Sequence, residues 1–232
     1  MLFFMHVGKT GGTQVKRFIR NAVGAPKLQE PQVIQDRIVL LNHCTLGEAE
    51  KRFGEPTGLI LTYRDPIERF VSGFYCRQRM GLPEHRARWD AAEAAAFLYF
   101  KTANDLAEAL SSEDPTKYSA AHFSMHAIRH IRRGYQFHFG HPSSFVLDYG
   151  TRIRACVETK DLERSWHKII QAIDGDTPKR ARPTTTSATP DYPKTLSDLA
   201  RSNLRSNWAV EFEFYNVFKT LDESLEENLS YW

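Results

Sequence analysis

The sequence predicts an α/β fold with a central, mainly parallel sheet flanked by helices, on three observations. Short apolar runs alternate with segments of helical periodicity, each run closes in a tight polar turn, and the turn carries the start signal of the next helix. Strands joined in this way need crossover connections, which put helices on both faces of the sheet. Ligand-binding residues then belong beyond the C-terminal ends of the strands.

The elements follow in order. Leu2 to Val7 is an apolar run closed by Gly8, and Gln14 to Val23 carries Val15, Phe18, Ile19 and Val23 at helical spacing. Ile38-Val39-Leu40-Leu41 leads into Asn42-His43-Cys44, after which Thr45 and Glu48 have the spacing of a capping box. Leu59 to Tyr63 is a third strand. Beyond it Asp65 can cap a helix that Pro66 opens, with Glu68 at its third position. Residues from about 91 to 133 are mostly helical in pattern, broken near Ser111 to Pro115, and read as a helical insertion. Ser144 to Leu147 and Ile153 to Val157 are each expected to be strands, and Asp161 is expected to open a helix through Leu162, Trp166, Ile169 and Ile170. Arg180 to Pro193 reads as a loop and Ser197 towards Asn228 as helix. The aromatics Phe212, Phe214, Tyr215 and Phe218 in that last helix are expected to pack it. There is no internal repeat, and residues 1–232 read as a single domain that includes the insertion.

Composition narrows the function classes. Of 232 residues, 41% are hydrophobic and 25% charged, which supports a sizeable core, and 31 basic against 28 acidic residues leave a net charge of only +3. That balance argues against a nucleic-acid partner and makes any anion site a local one. The three cysteines, Cys44, Cys76 and Cys156, are odd in number and lack metal-ligand spacing, so neither a disulfide framework nor a zinc site is expected. No apolar run reaches the roughly 18 residues of a membrane span. A cytoplasmic setting is therefore expected, although a lumenal enzyme without its anchor has the same composition.

Gly8-Lys9-Thr10-Gly11-Gly12-Thr13 is the first segment with chemistry in it. Paired glycines let the backbone approach an anion, the following helix offers N–H groups and a positive dipole end, and Lys9 adds a full charge. A Walker A loop would need glycine six residues before Lys9, where Phe3 stands. Arg64 follows the third strand and Ser72 lies about two turns into the next helix; both can face one crevice, where a guanidinium and a hydroxyl suit a phosphate.

Phe3 to Thr13 resembles the first motif of the sulfotransferases that use 3′-phosphoadenosine 5′-phosphosulfate (PAPS), particularly their carbohydrate branch. Arg64-Asp65-Pro66-Ile67-Glu68-Arg69-Phe70-Val71-Ser72-Gly73-Phe74-Tyr75 is similar to the 3′-phosphate motif of that family, including the eight-residue step from arginine to serine. A weaker likeness in Cys156 to Leu162 extends the resemblance over about the first three quarters of the chain. The resemblance implies a P-loop-like three-layer fold and transfer of the sulfuryl group from PAPS to a hydroxyl, with a saccharide as the favoured acceptor and PAP as product. It implies that Lys9, Thr10, Gly11, Gly12 and Thr13 hold the 5′-phosphosulfate, that Arg64 and Ser72 hold the 3′-phosphate, and that no metal is required.

Loss of the acceptor's proton calls for a general base near a strand end. His43 follows the second strand directly, and its position resembles that of the catalytic His or Glu in several carbohydrate sulfotransferases. A histidine that caps or packs under the next helix is the competing reading, and Glu48 is the fallback base. His122, His126 and His130 would form a stripe on one helix, more suited to solvent or an anionic acceptor than to zinc. In the family that the chain resembles a late basic loop closes over the nucleotide, which implies a nucleotide contact for Arg180 or Arg182 in the basic loop Lys179 to Thr186; a solvent-exposed loop is the competing and stronger reading. Two other functions stay open at this point: a P-loop-type nucleotide kinase, and a non-catalytic nucleotide- or polyanion-binding module that keeps Lys9 and Arg64 without a base.

Overall fold

Each of the first three expected strands is followed by the expected helix. The computed structural model describes residues 1–83, 86–174 and 191–229. Over these the chain runs β1 (Leu2–Met5), α1 (Gly12–Ala22), β2 (Gln32–Ile34), β3 (Ile38–Leu40), α2 (Leu46–Phe53), β4 (Gly58–Tyr63), α3 (Pro66–Gln78), α4 (Ala91–Tyr99), α5 (Ala103–Glu108), α6 (Pro115–Ala127), α7 (Arg129–Arg132), α8 (Tyr135–Phe139), α9 (Pro142–Tyr149), β5 (Ile153–Glu158), α10 (Trp166–Ala172), α11 (Asp198–Asn207) and α12 (Ala209–Leu229). The Lys179 to Thr186 loop, with Arg180 and Arg182, lies outside the described residues.

The chain divides into two compact units. One contains the described residues of 1–64, 135–184 and 213–232, the other those of 65–134 and 185–212. The first unit holds a five-stranded sheet in the order β2-β3-β1-β4-β5, in which only β2 is antiparallel to its neighbour. Phe4 pairs with Leu40 on one side and with Ile60 on the other, so β1 is a central strand. Its Phe3, Phe4 and Met5 are all buried, as expected for a strand covered on both faces. Phe4, Leu40, Ile60 and Val157 pack against Val15, Phe18 and Ile19 of α1 and Ile169 of α10. On the other face Phe3 meets Phe53 of α2 edge-on, and Cys156 lies under Phe218 of α12. Phe214 and Phe218 pack edge-on or tilted against Phe139 and Phe145 of α8 and α9, the packing role expected of those aromatics. Lys168 of α10 is paired with Asp222 at 2.5 Å and Glu226 at 2.6 Å, and Asp222 also accepts from the Tyr63 hydroxyl at 3.0 Å.

The second unit is helical. Asp65 caps α3 through the N–H groups of Ile67 and Glu68, with Pro66 in the first turn, as expected. Phe70, Phe74, Phe97, Leu106, Ile128 and Leu204 belong to one apolar cluster that joins α3, α4, α5, α6 and α11. Beneath it Arg77 is 1% exposed and gives two hydrogen bonds to Glu93, from Nε at 2.7 Å and from Nη2 at 2.6 Å.

Four sequence expectations need correction. Ser144 to Leu147 is helix, part of α9, because Pro142 suits a first helical turn and the His141 ring accepts the Ser143 N–H. After Asp161 the chain makes a 3-10 turn (Thr159–Asp161), and α10 begins only at Trp166. His122, His126 and His130 do not share a helix: Ile128 adopts extended geometry (φ −71°, ψ 112°), ending α6 and starting α7. Glu93 stabilises that break by accepting the Arg129 N–H at 2.9 Å. Finally, β2 is an additional strand, joined to β3 through Gln35, Asp36 and Arg37, of which Gln35 and Asp36 are left-handed (φ 51° and 54°) and the Arg37 N–H closes the turn on the Ile34 carbonyl at 3.1 Å.

Candidate functional site

The C-terminal edge of the sheet collects the candidates. The strand order places β3, β1 and β4 side by side, and just beyond their ends stand His43, the Lys9 to Thr13 loop and Arg64. Ser72, the remaining candidate, is buried in α3 of the second unit, at 7% exposure.

The loop's shape follows from its residues. Thr10 is fully buried; its hydroxyl donates to the Val7 carbonyl at 2.9 Å and lies 2.9 Å from the Thr62 hydroxyl, so the loop is tied to β4. Lys9 and Gly11 are both left-handed, with φ of 71° and 80°. At Gly11 a Cβ would come within 2.5 Å of Leu162 Cδ1. Gly12 is closer still to its neighbour, since a Cβ there would overlap the His6 ring. Only glycine fits both positions, and the result is a backbone drawn tightly onto the sheet edge.

Helix α1 begins without help from its own side chains. No side chain caps its N-terminus, and its first turn carries no acidic residue. Thr45, Asp65, Asp90, Thr102, Asp114 and Ser197, by contrast, each cap their helix. The Gln14 and Val15 N–H groups bond back to the Gly11 carbonyl, which leaves the preceding amides of the loop as the orphan donors of the helix start. Orphan N–H groups, a positive dipole end and an adjacent lysine suit an anion.

Arg64 is held through its backbone. The Tyr135 hydroxyl accepts the Arg64 N–H at 2.8 Å and donates to the Arg64 carbonyl at 2.7 Å, and the tyrosine is completely buried. At the end of β5, the Thr159 hydroxyl donates to the Tyr63 carbonyl at 2.8 Å, fixing the adjacent strand end. Glu158 there accepts from Tyr215 at 3.1 Å and pairs with Lys160 at 2.7 Å.

His43 is left-handed, with φ 51°. The capping box expected after it is present: Thr45 accepts the Glu48 N–H and the Glu48 carboxylate accepts from the Thr45 N–H at 2.8 Å. Glu48 is thereby engaged in starting α2.

Sequence reasoning missed His6. Its ring lies 4.7 Å from that of His43, tilted by 35°, and it is 9% exposed. Burial, followed by Lys16, His43 and His138, holds its pKa well below the usual 6.5, so His6 is neutral in the folded protein. The signal in the sequence was a histidine at the end of an apolar strand just before a glycine loop. Linkage gives this a sign. Below about 6.5 the unfolded chain takes a proton at His6 that the folded chain refuses, so the stability of the native state falls as pH drops below 6.5. His6→Asn is expected to make that fall shallower, as read from urea unfolding at pH 5 and pH 7.

The opposite edge of the sheet has a cleft of about 630 Å³ lined by Leu2, Gly58 and Ile153, the first residues of β1, β4 and β5. Its Lys168 is already engaged by Asp222 and Glu226, and its Arg37 by the Ile173 carbonyl at 2.5 Å. That cleft offers a charged ligand less than the C-terminal edge does. Among the described residues, no group of three or more His, Cys, Asp or Glu side chains is arranged to hold a metal ion, and no helix is long and apolar enough to cross a membrane. The chain matches no protein-family model, no curated protein and no solved structure.

Proposed function

We propose that this protein is a PAPS-dependent sulfotransferase acting on a hydroxyl, with a saccharide as acceptor class. The observation that carries the reading is the sheet edge itself: three neighbouring parallel strands end in a candidate base, an anion cradle with its lysine, and an arginine. These are the parts such a transfer needs, and the two sequence motifs resemble those of the family in order and spacing.

In the proposed reaction the acceptor oxygen attacks the sulfur of PAPS in line. The new O–S bond forms as the bond from sulfur to the bridging phosphate oxygen breaks, His43 takes the acceptor's proton, and PAP leaves. Negative charge grows on the bridging oxygen, where Lys9 and the amides of Gly11, Gly12 and Thr13 would stabilise it. Arg64 is the proposed contact of the 3′-phosphate.

The test is acceptor-dependent release of PAP from PAPS, assayed with a panel of saccharides and simple alcohols. No PAP release with any acceptor contradicts the reading, and magnesium-dependent turnover of ATP instead would favour a kinase. Arg64→Ala is expected to weaken PAP binding by about ten- to a hundredfold, the loss of a charged hydrogen bond, as measured by calorimetry. The exposed Arg201, changed to alanine, is expected to alter it less than about twofold. Equal losses from the two would remove Arg64 from the site.

A further inference from the structure

We propose that His6 is a positioning residue: its buried ring, seated against Gly12 of the glycine loop, holds the His43 imidazole in its orientation towards that loop. The inference rests on the transfer chemistry proposed above.

The geometry that leads there is local to one unit. One edge of the His6 ring lies so close to Gly12 that no side chain fits at that position. A face of the same ring meets His43 at 4.7 Å between centroids, while Phe4 lies nearly parallel to it at 6.5 Å. His6 is therefore wedged between the strand beneath it, the first residue of α1, and the candidate base. Aromatic rings at such separations hold each other in orientation as well as in contact. The Nδ1 atom of His6 is buried with no hydrogen-bond partner among the described residues.

The other groups that face His6 define its charge. Lys16 of α1, His43, His138 of α8 and the side chain of Asn42 surround it, and the three basic groups all oppose a proton on His6. His138 is itself buried, and its Nδ1 donates to the Cys44 carbonyl at 2.7 Å, which fixes that ring. A neutral His6 leaves His43 as the ring of the pair that takes the acceptor's proton.

A double-mutant cycle separates this role from plain packing. His6→Asn and His6→Leu are each expected to lower kcat by about tenfold or more, leaving KM for PAPS within about threefold. In a His43→Ala background the same changes are expected to cost less than about twofold, because the partner through which His6 acts is gone. Equal factors in both backgrounds would overturn the proposal. A second measurement needs no substrate: the titration of the His43 ring, followed by its imidazole proton resonance. In His6→Asn water reaches the space vacated by the ring, the imidazolium is better solvated, and the midpoint is expected to rise by about half a unit or more. An unmoved midpoint would overturn the proposal even if the protein transfers sulfuryl groups. If the midpoint moves and PAP is never released from PAPS, the positioning geometry stands and the reaction assignment fails.

Discussion

Lys9→Ala is expected to lower turnover by about 10²- to 10³-fold, the usual loss when one donor to a developing negative charge is removed from a preorganised site. Alanine keeps a Cβ at this left-handed position (φ 71°), so the backbone strain is the same before and after the change. Lys9 is only partly buried, and the loop is held by Thr10, Gly11 and Gly12. The melting temperature should therefore stay within a degree or so, an effect of the size of other surface substitutions. Comparison of kcat in single-turnover experiments with melting curves checks both halves. Unchanged turnover would mean that leaving-group charge is stabilised elsewhere.

The largest effect on stability is expected in the helical unit. Glu93 is fully buried, accepts two hydrogen bonds from Arg77 and one from the Arg129 backbone, and has no route to solvent. Glu93→Ala strands a buried guanidinium and is expected to cost about 3–5 kcal/mol in urea unfolding. Replacing both partners, as in Arg77→Met with Glu93→Leu, is expected to cost far less, because desolvation of the two charges disappears along with their attraction. A loss below about 1 kcal/mol in the single variant, the range of exposed pairs, would show that water reaches Arg77.

What the sequence made legible was whatever is decided locally. Asp65-Pro66 and Thr45 with Glu48 encode helix starts in four or five residues, and both fold as expected. The fold class followed from the same boundaries, and with it the gathering of Lys9, His43 and Arg64 at one edge, because a strand's C-terminal neighbour must lie at the sheet edge whatever the rest of the chain does. The expectations that failed depend on distant partners. Ile128 could have continued a helix, and it is Glu93, far away in sequence, that takes the Arg129 N–H and makes the break favourable. Phe145-Val146-Leu147 has strand-like composition, but the pair His141-Pro142 starts a helix before it. β2 is three residues long, and its turn uses Gln35 and Asp36 in place of the glycine or asparagine that announces a hairpin. His6 was visible as a residue and not as a neighbour of His43, since the parallel pairing of β1 with β3 is what brings the two together.

Binding of the donor nucleotide is the claim on which the others depend, and the melting temperature tests it most directly. A ligand held only by the native state adds about 2.7 kcal/mol at a hundred times its dissociation constant. A higher melting temperature is expected with PAP and with PAPS, lost in Arg64→Ala, and no rise with ATP and magnesium. A rise with ATP and magnesium and none with PAP would contradict that claim.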